Sequence, residues 1–160
     1  MKTTLILAAL VSFAAAGEHP EHPMGPAKTS TEKKDAPKPE MGSKEWLKQM
    51  RKEYTAAVEK KVADAAAAGG FQVKDEKLAK DWTLKLSRVH KDRIIGLGGS
   101  SFFACADFKS AEKGSKDKVD LDFYATKNGD SWTIDKVLVH KVNGVERYKY
   151  NEKNEMVPVK

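Results

Sequence analysis

Three groups of residues in this chain have the types and spacing to do chemistry, and the sharpest is near the amino terminus. Cleavage after Ala16 would leave Gly17-Glu18-His19 as the first three residues. A free α-amine, the two following amide nitrogens and an imidazole at position three can surround Cu(II) or Ni(II) in a square plane. Proline at position two or three would forbid this by removing an amide proton, and Pro20 comes one residue later. His22 can add an axial or second-site ligand. Gly17, Glu18, His19 and His22 are therefore the candidate metal ligands, with copper or nickel as the cofactor, and no catalytic residue is nominated.

The second group is Asp107, Asp120, Asp122 and Asp135, which strand alternation can bring to one outward sheet face. With Tyr124 or His140 they would form a hard-cation site or an acid/base pair, although alternate aspartates on a solvated face give the same spacing. His90 and His140 can meet only if their strands are neighbours. The third group is Cys105, in the strand-like run Phe102-Phe103-Ala104-Cys105-Ala106-Asp107-Phe108. It reads as a half-buried small hydrophobe, because a nucleophile needs an activating base and neither histidine is adjacent in sequence. Gly96-Leu97-Gly98-Gly99-Ser100-Ser101 lacks the lysine of a phosphate loop and precedes a strand, so it reads as a chain reversal. Zinc spacing of the cysteine or histidine kind and a serine nucleophile turn are both missing.

The elements that must position these residues are bounded by composition. The chain has 160 residues, 40% apolar, 8% aromatic and 32% charged, with one cysteine and a formal charge of +6. That is one domain's worth of chain, too short for a two-domain enzyme and unable to form an internal disulfide. Lys2, the apolar run from Leu5 and the small residues Ala14-Ala15-Ala16 have the layout of a secretory signal over 1–16. The run is shorter than the roughly 20 residues that span a bilayer, and nothing later is long enough. A periplasmic or secreted protein is expected. Residues 17–42 hold five of the six prolines and no aromatic, so a disordered tail is expected there, about 28 Å in reach if fully flexible. The single domain is expected over 43–160, with 24 lysines and arginines against 18 acids.

From Ser43, a good N-cap, Trp46, Leu47, Met50, Tyr54, Ala57, Val58, Val62 and Ala65 recur at helical spacing, and Gly69-Gly70 supplies the stop. This predicts one amphipathic helix of about 26 residues, roughly 39 Å long. After Gly70 the period becomes 2 through residues 82–86, 102–108, 119–125, 131–142 and 145–150. Asn128-Gly129 and Asn143-Gly144 are two-residue hairpin signals. The first predicts Ala125 opposite Trp132, Phe123 opposite Ile134, Tyr124 opposite Thr133 and Asp122 opposite Asp135. The second predicts Lys141 opposite Glu146, His140 opposite Arg147, Val139 opposite Tyr148 and Val137 opposite Tyr150. A parity shift between Ile134 and Val137 predicts a bulge near Asp135-Lys136.

The predicted fold class is α+β: one long N-terminal helix packed on a curved antiparallel sheet of four to six strands. Over residues 43–150 this element order resembles the cystatin/NTF2-like helix-on-sheet group. The chain is also similar to small exported bacterial proteins with an N-terminal Glu-His-Pro repeat, here Glu18-His19-Pro20-Glu21-His22-Pro23. The cystatin inhibitors' Gln-x-Val-x-Gly hairpin is not matched at Gln72-Val73 and no Pro-Trp occurs, which argues against protease inhibition.

The expected function is an exported non-enzymatic domain that binds a peptide, a small molecule or an anionic envelope component through its sheet face or strand edge. The alternatives are Cu(II) or Ni(II) capture by Gly17-Glu18-His19, and a small enzyme with a pocket between helix and sheet. Nucleic acid is not an expected partner, since charge in the domain is diffuse and such ligands are rare outside the cytoplasm.

Overall fold

Ser43 starts the only long helix among the described residues, its hydroxyl accepting the amide hydrogen of Trp46 at 3.1 Å. The computed structural model describes residues 38–159, so the segment expected to be a signal sequence, most of the expected tail and the candidate ligands Gly17, Glu18, His19 and His22 lie outside the described residues. Helix α1 (Lys44–Ala67) buries Met50, Tyr54, Val58 and Val62, a four-residue spacing that makes one stripe. Leu47, expected on that stripe, is 37% exposed and lies outside it. Gly69 and Gly70 end the helix at φ of +114° and +123°. No helix in the described residues is long and apolar enough to cross a membrane.

Nine strands follow among the described residues: β1 (Phe71–Asp75), β2 (Lys80–Val89), β3 (Ile95–Gly98), β4 (Ser101–Ser110), β5 (Lys118–Asn128), β6 (Ser131–Val142), β7 (Val145–Glu146), β8 (Tyr148–Tyr150) and β9 (Met156–Pro158). The main sheet runs β1-β2-β4-β5-β6-β7, antiparallel throughout and curved into a half-barrel. After a single 3-10 turn at Lys91–Arg93, β3 pairs with β4 as well. Positive φ at Gly98 and Gly99 reverses the chain into β4, as the glycine run predicted. Helix on curved antiparallel sheet is the α+β architecture expected.

The concave face of the sheet meets α1. Phe71, Phe108 and Phe123 stack with centroids 5.5–5.9 Å apart, and Tyr54, Val58, Leu121 and Phe123 are wholly buried. Tyr54 donates its hydroxyl hydrogen to the Phe123 carbonyl at 2.6 Å, so its one polar group is satisfied inside the core. The core between helix and sheet is filled by side chains.

Two details of pairing differ from expectation. Asn128 pairs with Ser131, so Gly129 and Asp130 form the loop. Ala125 therefore meets Ile134, Phe123 meets Val137, Tyr124 meets Lys136, and Asp122 lies across from Leu138. Hydrophobic alternation does not distinguish this register from the predicted one, because a slide of two residues keeps every side chain on its face. The helix distinguishes them: Lys127 and Trp132, now opposite each other, both donate to Glu53 Oε2, the indole at 3.2 Å. The predicted bulge at Asp135 is present, and a second one stands at His140.

The second difference is at the C-terminal end. Asn143 and Gly144 both have positive φ and Lys141 does face Glu146, as predicted. The Arg147 amide still donates to the His140 carbonyl at 2.8 Å, in keeping with their predicted facing, and the ladder then stops. Tyr148 and Tyr150 do not meet Val139 and Val137; β8 pairs with β9 and carries both tyrosines over the outer face of the main sheet. Two buried carboxylates account for this departure. Arg147 donates to Asp75 on β1 at 2.8 Å, and both tyrosine hydroxyls donate to Asp122 on β5.

Candidate functional site

The outer face brings together residues from three neighbouring strands and the C-terminal hairpin. Cys105 on β4 pairs directly with Asp122 on β5, so both side chains leave the same face side by side. His140 follows Val139, which faces the helix, so alternation turns it to the same outer face, and the second bulge leaves it unpaired there. Asp120 pairs with Lys141 and Leu121 with Val139, which leaves His140 as the extra residue. A bulge turns two consecutive side chains toward one face. His140 and Lys141 consequently both point outward, and the imidazole stands beside Asp122.

Asp122 is fully buried, with four groups around its carboxylate. Oδ1 accepts from the Cys105 thiol and lies 3.5 Å from His140 Nδ1. Oδ2 accepts from Tyr148 at 2.8 Å and from Tyr150 at 2.6 Å. The Tyr124 and Tyr150 hydroxyls are 2.7 Å apart, and Cys105 Sγ is 3.4 Å from His140 Nδ1. Rings pack the polar atoms in: Tyr148 stacks on His140 at 5.0 Å, and Phe103 lies under Tyr150 at 4.6 Å and Tyr124 at 5.3 Å.

The electrostatics follow from that crowding. Burial by itself would raise the Asp122 pKa, but hydrogen bonds from His140, Cys105 and Tyr150 hold it below the usual carboxylate value. The carboxylate in turn keeps its neighbours protonated. Burial and then the Asp122 charge push the Cys105 thiol up, and the same causes raise Tyr148; burial and the hydrogen bond to Asp122 raise Tyr150. As it stands, Cys105 is a hydrogen-bond donor and a poor nucleophile, because the thiolate is the reactive form.

The other expected residues are placed apart. Asp107 receives Arg88 at 2.8 Å and contacts His90 Nε2 at 2.7 Å, so the two histidines each hold a different aspartate and do not meet. Asp120 lies opposite Asp107 on the neighbouring strand, and burial followed by the Asp107 charge raises its pKa. Asp135 accepts from Thr126 at 2.8 Å. The four aspartates do share the outward face, but only Asp122 gathers a histidine, a thiol and two phenols. Cys105 is half-buried as expected, though its polar contacts make it more than a packing residue. Sequence reading placed Asp122 and His140 together as candidates for the outward face, but it missed Cys105 as a member of the group and missed the return of Tyr148 and Tyr150, which is a tertiary event.

A second feature lies on the far side of α1. A groove of about 680 Å³ runs between the helix and the 3-10 turn, with Leu47 and Ala56 as apolar lining and Lys44, Lys48, Arg51, Lys52 and Lys91 as cations. None of these five cations is in an ion pair among the described residues. Glu59 and Asp92 are the acids that line it. Thr55 Oγ1, at its edge, is buried with no hydrogen-bond partner among the described residues.

The chain matches no protein-family model, no curated protein and no solved structure. Its architecture, one helix on a curved antiparallel sheet, defines the class of fold to which it belongs.

Proposed function

We propose that this chain is an exported, non-catalytic binding domain of the cystatin/NTF2-like helix-on-sheet kind, and that its ligand is an amphipathic anion held in the groove beside α1. The observation that carries this reading is the set of five unpaired cations around an apolar lining. Cations gathered without acid partners attract an anionic head, and the exposed Leu47 gives an apolar tail a surface to cover. The groove's volume lies in the range of small-molecule sites, and the Thr55 hydroxyl supplies a buried polar group still open to a partner. Export rests on the Lys2-to-Ala16 pattern, and a periplasmic or secreted location follows from it. Binding is favoured over catalysis because the space under the helix is filled and the thiol beside Asp122 is held protonated.

The test is calorimetric titration of the full chain with sodium laurate below its micelle concentration, with dodecyl maltoside as the uncharged control. Binding of laurate alone is expected, and the double variant Arg51→Glu, Lys52→Glu should weaken it at least about tenfold, the loss of about 1.4 kcal/mol that two reversed charges near a surface ligand readily produce. Equal affinity for both amphiphiles, or no response in the double variant, removes this reading.

A further inference from the structure

We infer that Cys105, Asp122 and His140 form a binding site for a four-coordinate divalent transition ion of the zinc type, independent of the groove and of the amino-terminal segment. The candidate ligand atoms, Sγ, Oδ1 and Nδ1, come from three adjacent strands and all lie within 4.8 Å of one another. A tetrahedral ion with bonds of about 2.0–2.3 Å spaces its ligand atoms about 3.3–3.8 Å apart. Nδ1 already stands 3.4 Å from Sγ and 3.5 Å from Oδ1, so two of the three edges have that length. The third edge is closed by the thiol proton, which bonds Cys105 to Asp122. Metal entry replaces that proton. The sulfur–hydrogen bond breaks and its proton leaves to solvent; the hydrogen that Nδ1 shares with Asp122 is exchanged through solvent for one on Nε2, with no net change in charge, and sulfur, carboxylate oxygen and the freed Nδ1 lone pair bind the ion.

Charge balance suits a buried position. One thiolate and one carboxylate neutralise a dication, and the imidazole adds no charge. The surroundings are those of an oriented ligand shell: Oδ2 of Asp122 is taken by Tyr148 and Tyr150, which leaves Oδ1 for the metal, and the Tyr148 ring stacked on His140 fixes the imidazole plane. A thiolate with an imidazole and one carboxylate selects zinc-like ions over magnesium or calcium. The fourth position is left to water or to a small ligand.

Cobalt(II) reports the site directly, because a thiolate–cobalt bond gives a near-ultraviolet charge-transfer band and four-coordination gives strong visible bands. The full chain should show both, saturating at one equivalent, with one proton released per ion and displacement by zinc. Cys105→Ser should lose the charge-transfer band, whereas His19→Ala with His22→Ala should keep it. Tyr148→Phe preserves all three ligand atoms and should weaken cobalt binding about tenfold. Absence of the thiolate band, persistence of the spectrum in Cys105→Ser, or its loss in the tail variant overturns the assignment. Should Cys105→Ser fail to fold, the proton count and a zinc-dependent rise in the unfolding midpoint of the unaltered chain decide: both are expected, and lack of either refutes the site.

Discussion

Asp122 shows how one residue organises its surroundings. A carboxylate removed from water is costly unless its lone pairs are met, and here thiol and phenol hydrogens meet them. The hydroxyls of Tyr148 and Tyr150 are thus structural groups, each worth the amount typical of a hydrogen bond to a charge. Tyr150→Phe is expected to lower the unfolding free energy by about 2 kcal/mol, read from urea denaturation, because the ring still packs on Phe103 and only the hydroxyl is lost. A loss below about 0.5 kcal/mol would mean that Asp122 is satisfied without Tyr150. The tyrosine that lies across the sheet, Tyr54, plays the equivalent part for the Phe123 carbonyl on the helix side.

At the scale of elements, β6 carries the most information. Its first bulge, at Asp135, allows Trp132 and Ile134 near one end and Val137 and Val139 near the other to share the helix-facing side. Its second keeps Lys141 on the outer face beside His140 and returns Val142 to the core. A strand without bulges would have presented either the apolar set or the histidine, not both. The junction of α1 with β1 depends on an equally specific feature. Gly70 has a φ of +123°, and a Cβ there would lie 2.6 Å from Thr83 Cγ2 on the neighbouring strand. Gly70→Ala should therefore destabilise by more than about 1 kcal/mol, seen as a fall in thermal midpoint. At Gly69, with a similar φ but open space around it, the same change should cost less; equal effects at both positions would show that the contact with Thr83 contributes nothing.

For the molecule as a whole, the notable contact joins the two edges of the sheet. Asp75 ends β1 at one edge, and Arg147 follows β7 at the other; their side chains meet at 2.8 Å with Asp75 only 3% exposed. Asp75 also accepts from the amides of Lys77 and Leu78 at 3.1 and 3.2 Å and from the Trp82 indole at 3.4 Å. Burial would raise its pKa, but Trp82, Leu78 and Arg147 overcome that and hold it below the ordinary value of 3.8. A depressed carboxylate pKa stabilises the fold above the unfolded value, and the contribution is lost as pH falls through the folded one. The unfolding midpoint should accordingly fall from about pH 4 downward, and Asp75→Asn should flatten that part of the profile. Removing the partner, with Arg147→Ala, should cost about 3–5 kcal/mol, because it leaves a buried charge unpaired. An unchanged acid limb in Asp75→Asn would assign the loss to other carboxylates.

Much of this was legible in local chemistry. Ser43 caps the helix, Met50, Tyr54, Val58 and Val62 mark its buried stripe, Gly69-Gly70 stops it, and the change of period at Phe71 announces a sheet. Short-range rules suffice there because each is settled within one turn or one strand. They also suffice at Asn143-Gly144, where both residues must take positive φ. The register at Gly129 was not readable, since a two-residue slide leaves the apolar pattern intact and the deciding atom, Glu53 Oε2, lies on the helix.

The site on the outer face followed the same division. Sequence alone determined that Cys105, Asp122 and His140 sit in three consecutive strand-like runs, and that one helix must cover an apolar sheet. Only the tertiary structure decided that His140 stands within reach of Asp122 and Cys105 and that Tyr148 and Tyr150 leave the ladder to reach the same carboxylate. The physical reason is that a strand's faces are set by its own alternation, whereas the partners of a buried charge are chosen by every segment that can reach it.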